Sequence, residues 1–250
     1  MLHSRTAILL AFAWVLLLPI GVQAQSAEQC AYSDRQLFDA YMAGDMQLWK
    51  EYIDHAGFDT LPAQEQERRL YYEYGYAASL IDSDKRAAKP YIRQFGAHIE
   101  QLKDRLPAVL VHVYSAAYQT YDLAVTPLRV ARHSQLIFHH AQQAVITDAR
   151  HPLAWGIQAN VHFYAPRMMG GDKQLAMQEY ERADSLFAAT AAQRALDWTY
   201  VAQTLSLVQC YDKLGKTELA LQKARQALAR WPEYDYLRQY VLQLEERNKK

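Results

Sequence analysis

A chain of 250 residues with 51% apolar content is long and apolar enough to bury a sizeable core, which excludes disorder as its default state. Lys+Arg and Asp+Glu balance at 27 each, so no global field would draw nucleic acid or an anionic membrane surface towards it. Nine glycines and eight prolines, with few alternating β-branched runs, leave little room for sheets, and an all-helical chain is expected.

Residues 1–24 read as a targeting segment. His3 and Arg5 form a polar start, Ala7 to Leu18 an apolar run, and Val22-Gln23-Ala24 the small-x-small pattern that signal peptidase cleaves. Cleavage after Ala24 predicts an exported protein, periplasmic or secreted, with no membrane span left. Kept uncleaved, the same run would be an anchor, provided Pro19 and Gly21 are tolerated. Ala27-Glu28-Gln29 before Cys30 lacks the apolar-small-small approach of a lipidated cysteine. Export would permit a disulfide between Cys30 and Cys210. Bridging needs Cα atoms within about 7 Å, and cysteines at opposite ends of a helical stack meet only if the stack curls back on itself. Two unpaired thiols are expected.

Ser33 and Asp34 are N-cap residues for a helix with Leu37, Phe38, Tyr41 and Met42 on one side, and Gly44-Asp45 ends it. Met46, Trp49, Tyr52 and Ile53 continue the three/four spacing, so residues 25–62 comprise a short leader and an N-terminal hairpin. Residues 63–232 then repeat a code of large and small positions. Tyr71, Tyr74, Gly75, Ala87 and Tyr91 carry it first, with the small residues allowing close helix approach. Pro90 should bend the second helix of that pair or shift its start. A looser pair follows, with one helix from Ala108 to Leu123 and another opened by Pro127 and running to about Asp148.

The next pair starts at Pro152, with Trp155 at a bulky position, Ala159 at a small one, and Ala176, Tyr180 and Ala183 on its second helix. About five extra residues lie between its helices, in the stretch from Ala165 to Asp172. Structurally, Pro166 stops one helix, Gly170 and Gly171 supply left-handed conformations, and Asp172 caps the next helix. Functionally, Arg167, Met168 and Met169 on a stiff turn could form a contact patch. The last pair, Val201 to Pro232, places Leu207, Tyr211, Gly215, Ala220, Ala227 and Pro232 at the same offsets, and residues 233–250 form a capping helix.

These residues are the packing code of the tetratricopeptide repeat, and residues 68–232 resemble that family. The last unit matches strongly, those from Arg68 and Pro152 less so, and that from Ala108 weakly. The whole precursor resembles exported bacterial members, in which a Pro-x-x-Met-Gly-Gly-Asp turn like that at 166–172 recurs. The resemblance implies an all-α, right-handed α-solenoid of stacked antiparallel helix pairs that binds a peptide or partner protein on its concave side. Carried onto this chain, the concave positions are Tyr72, Tyr76, His112, Gln119, Asn160, Tyr164 and Gln209. Tyr offers area and a hydroxyl, and Asn or Gln can clamp a peptide backbone. The same tyrosines suit packing between repeats equally well.

Catalysis finds no support. The chain has no Gly-x-Ser-x-Gly, no His-Glu-x-x-His, no phosphate-cradling loop and no Cys-x-x-Cys. His133 and the neighbours His139 and His140 invite a metal reading, but adjacent helix residues diverge and no carboxylate follows at ligand spacing, so half-exposed histidines are expected. No cofactor and no metal are predicted. Two functions remain: an adaptor holding a protein segment in an open groove, or a small-molecule carrier serving a solute-uptake system. Self-association through the terminal pairs is a third possibility. A carrier needs an enclosed, mostly apolar volume of about 300 Å³ or more, and an adaptor needs an open, wet groove.

Overall fold

Local sequence signals set where several of the helices begin and end. The computed structural model describes residues 32–127 and 130–248; the targeting segment, its cleavage site and Cys30 lie outside them. The chain divides after Ser33, and the unit from Asp34 onward contains the helices described below. These are α1 (Asp34–Ala43), α2 (Gln47–Asp54), α3 (Ala63–Ser83), α4 (Lys85–Leu102), α5 (Ala108–Val125), α6 (Val130–Thr147), α7 (Pro152–Tyr164), α8 (Lys173–Ala189), α9 (Trp198–Lys213), α10 (Thr217–Arg230) and α11 (Asp235–Asn248). No strand occurs among the described residues. Consecutive helices pair as α3/α4, α5/α6, α7/α8 and α9/α10, and each pair packs on the next, giving an all-α solenoid.

Several turns follow from single residues. Asp84 alone separates α3 from α4, and its Oδ1 accepts hydrogen bonds from the Arg86 and Ala87 amides at 3.0 Å. Gly44 and Gly215 take left-handed conformations after α1 and α9, with φ of 74° and 69°. The tight Asp84 turn shifts the expected register by one. Ala88, not Ala87, is the small residue buried in the α4 interface, because Ala87 is taken up in the cap. Pro90 does not shift the start of α4 either; the helix begins at Lys85 and runs through it. The α5/α6 pair, which looked stretched, is built from two regular helices of 18 residues each.

The centre of the unit is α3. Leu70 and the run Tyr72 to Ala77 are all buried, as befits a helix covered on every side. Gly75 explains how. A Cβ there would stand 2.6 Å from the ring of Trp49 on α2 and 2.7 Å from that of Trp198 on α9. The two tryptophans therefore meet over a glycine, 5.3 Å between ring centroids. Trp198 also contacts Tyr41, Tyr71 and Tyr74, all within 5.8 Å, and the Tyr71 hydroxyl donates to Asp197 Oδ1 at 2.8 Å. Aromatic pairs of this geometry add about 0.5–1.5 kcal/mol each beyond area burial.

The ends of the stack consequently meet. Helix α1 touches α11, and Tyr41 stacks on Tyr234 at 6.2 Å. Tyr41, Trp49, Trp198 and Tyr234 thus join residues from both ends of the stack in one aromatic cluster. No helix among the described residues is long and apolar enough to cross a membrane.

Two internal clamps repeat across the stack. Glu73, buried on α3, accepts from Gln94 Nε2 at 2.8 Å and lies 2.9 Å from His98 Nδ1 on α4. Glu179, buried on α8, accepts from Gln158 Nε2 at 2.6 Å and lies 2.7 Å from His162 Nδ1 on α7. In each case a Gln and a His four apart on one helix hold a carboxylate of its partner. A buried carboxylate is tolerated because both of its oxygens are committed.

Candidate functional site

A cavity of about 480 Å³ opens where α5, α6 and α7 converge. Ala117, Thr120 and Tyr121 come from α5, Ser134, Ile137 and Phe138 from α6, and Ile157, Asn160, Val161 and Tyr164 from α7. Ala78 of α3 and Ser206 of α9 also line it. The three-four spacing of these residues places each set on one face of its helix.

The wall is more apolar than its residue types suggest. The Thr120, Ser134 and Ser206 hydroxyls each donate to the carbonyl four residues earlier in their own helix, at 2.8, 2.8 and 3.1 Å. They have no proton left for a ligand. Burial, and next the charge of Tyr74, hold the Tyr121 phenol far above its usual range, so it stays neutral. Asn160 accepts from the Tyr180 hydroxyl through Oδ1 at 2.6 Å, and its amide nitrogen makes no hydrogen bond among the described residues. One amide donor on an apolar wall can orient a ligand.

The extended turn after α7 forms the lip. Ala165, Pro166 and Met169 face the cavity. A 3-10 turn at Arg167–Met169 leads to Gly170, whose φ of 94° requires glycine and whose backbone lies over the Phe138 ring, 3.2 Å from where a Cβ would stand. Gly171 is needed for a different reason: a Cβ there would stand 1.9 Å from the Ala165 carbonyl oxygen. The amides of Gly171 and Asp172 bond to the carbonyls of Pro166 and His162, at 3.1 and 2.9 Å. Asp172 caps α8 by accepting from the Gln174 and Leu175 amides. The structural reading of this turn accounts for most of its residues. The glycines, Pro166 and Asp172 build it, Met169 lines the cavity, and Met168 is 92% exposed.

The seven concave positions named from sequence separate into three groups. Tyr72 and Tyr76 are core residues, 2% and 5% exposed; Tyr72 packs on Trp49 and Tyr52, and Tyr76 on Tyr91. His112 and Gln119 are half-buried and engaged with α6: His112 Nδ1 lies 3.1 Å from His140 Nδ1, and Gln119 Oε1 lies 2.8 Å from His133 Nδ1. Asn160 and Tyr164 line the cavity, and Gln209 shares an adjoining open cleft with Tyr164. Tyr164, at 67% exposed, stands at the mouth.

The histidine expectation needs one correction. His133 is buried, not half-exposed, because Gln119 and Asp122 of α5 enclose it, the latter with Oδ2 3.3 Å from Nε2. His139 is exposed. No group of three or more His, Cys, Asp or Glu side chains suited to a metal occurs among the described residues. Cys210 is a buried free thiol whose Sγ lies 3.7 Å from the Lys173 carbonyl oxygen.

The cavity residues of α6 escaped the sequence reading. Ser134, Ile137 and Phe138 do fall at three-four spacing, but this pair matches the repeat code weakly and the code therefore does not single them out. The inserted turn was the available signal, since residues added between two paired helices must lie over something.

No protein-family model matches the chain, and no curated protein does. Among solved structures it is similar to the HusA haemophore from Porphyromonas gingivalis, with a TM-score of 0.57 and 17% identity. The likeness covers 76% of this chain and 96% of that one. At that identity it establishes a shared helical, repeat-like fold and nothing about residues.

Proposed function

We propose that the protein is an exported, non-catalytic carrier that binds a small, largely apolar molecule in the cavity between α5, α6 and α7. The observation that carries this reading is the cavity itself. At about 480 Å³ it lies within the range of small-molecule sites, and its hydroxyls are spent on their own helices. The solved protein it resembles in fold is a haemophore, which favours a carrier over an adaptor and makes haemin the first ligand to try. An adaptor gripping an extended peptide has less support, since Tyr72 and Tyr76 belong to the core. The targeting pattern of residues 1–24 supports export, and the packing code of residues 201–232 supports reading the stack as tetratricopeptide-like.

The test is titration of the processed protein with haemin, followed by absorbance, and with the neutral apolar dye N-phenyl-1-naphthylamine, followed by fluorescence. Saturable binding of the dye at one site per chain is expected. Ser134→Trp, which puts a large ring into the cavity from a half-buried position, should weaken it by about tenfold or more while leaving the melting temperature within a few degrees. Equal binding by wild type and S134W would remove the cavity as the site. Displacement of the dye by haemin would assign the ligand class; dye binding without displacement keeps the carrier and discards haem.

A further inference from the structure

The extended turn has two sides. One closes the apolar cavity. The other borders an open cleft of about 830 Å³, which shares Tyr164, Ala165 and Pro166 with the cavity, so that these three residues lie between the two. The chemistry of the two sides is opposite. Arg167, Lys173 and Lys213 line the cleft, all three exposed, and none pairs with a carboxylate among the described residues.

The negative groups nearby are committed. Asp172, the one carboxylate lining the cleft, spends Oδ1 on the amides that open α8. Glu179 is buried and held by Gln158 and His162. Asp212, beside Lys213, accepts from Tyr240 at 2.6 Å and from Arg247 at 2.8 Å. Lys173 extends over the Phe163 ring, 5.8 Å from its centroid, which keeps its ammonium at the cleft. Three cations thus lie on one side of the segment Tyr164, Ala165 and Pro166, and an apolar chamber on the other.

We propose that the cleft is an anion subsite, and that the ligand is an amphipathic organic acid: an apolar body held in the cavity, with a carboxylate or like group held by Arg167, Lys173 and Lys213. This rests on the carrier reading, and adds to it the class of molecule carried. Tyr164 would lie along the junction between body and acid group, where a ring with one polar end fits both surroundings. Exposed cations add affinity modestly and mainly select by charge.

Two dyes that share a skeleton test it. N-phenyl-1-naphthylamine is neutral, and 8-anilinonaphthalene-1-sulfonate is the same anilinonaphthalene with an acid group. The sulfonate is expected to bind about tenfold more tightly than the neutral dye. In the triple variant Arg167→Gln, Lys173→Gln, Lys213→Gln that advantage should fall to about twofold or less, with neutral-dye binding unchanged. The advantage should also shrink as salt rises from about 50 to about 500 mM. An advantage that survives the triple variant, or that never exists while the neutral dye still binds, overturns the subsite and leaves the cavity intact. If neither dye binds wild type, both the subsite and the carrier reading fall.

Discussion

The His112–His140 contact joins α5 to α6 through two imidazoles whose Nδ1 atoms lie 3.1 Å apart, which requires that at least one be neutral. Burial, then the neighbouring His139, pushes His112 below its ordinary value of 6.5. Burial, then His112 and His139, does the same to His140, with Glu100 opposing. A depressed imidazole binds protons more readily in the unfolded chain than in the folded one. Stability is therefore full above about pH 6.5 and declines as pH falls below it, through the folded values. Thermal melts between pH 7.5 and pH 5 should show the loss, and His140→Gln should flatten the slope by removing one of the two sites. An unchanged slope in that variant would place the acid sensitivity elsewhere. Cys210 offers a second residue-level check. Burial, followed by the nearby charge of Glu181, pushes its thiol up to about 11, so almost no thiolate exists at neutral pH. Iodoacetamide should leave Cys210 unmodified in the native protein and label it rapidly in about 6 M guanidinium, as read by mass measurement of the peptide that contains it.

At the scale of single helices, α3 shows how local preference yields to packing. Glycine inside a helix is disfavoured relative to alanine by about 1 kcal/mol, so Gly75→Ala should stabilise a lone helix. Here two indole rings occupy the space of the new methyl, and the substitution should instead destabilise by about 1–3 kcal/mol, measured by chemical denaturation. Stabilisation by G75A would mean that Trp49 and Trp198 do not converge on it. The same helix marks how far a sequence reading reaches. Gly44 and Asp172 each announce a helix boundary through chemistry confined to a few neighbouring residues, and those two boundaries lie where they were expected, whereas the Asp84 turn was not foreseen. The repeat code also marked Tyr71 and Tyr74 as packing against something. It could not say what, because the partners are set by how pairs stack, as in the bond from Tyr71 to Asp197 across 126 positions. The cavity was half legible for the same reason. Asn160, Tyr164 and the extended turn lie on one hairpin whose departure from the repeat length is visible, whereas Ile137, Phe138 and Ala117 become its neighbours only when the α5/α6 pair docks.

Contact between α1 and α11 gives the whole molecule a property that a linear stack lacks. In an open array each repeat leans only on its neighbours, and the end units fray first. Here the last helix supports the first, so removing residues 233–250 should lower the denaturation midpoint of the entire unit, not release the α9/α10 pair alone. Far-UV circular dichroism should show one transition in both forms, and a separate early phase in the shortened chain would contradict closure. Trp49 and Trp198 give this meeting point a voice of its own. Two indoles with centroids 5.3 Å apart and planes at 69° are close enough for their electronic transitions to mix. The near-ultraviolet dichroism of the protein should therefore carry a paired-indole band that vanishes with either ring, an optical signature of the two ends in contact while the helices themselves stay silent.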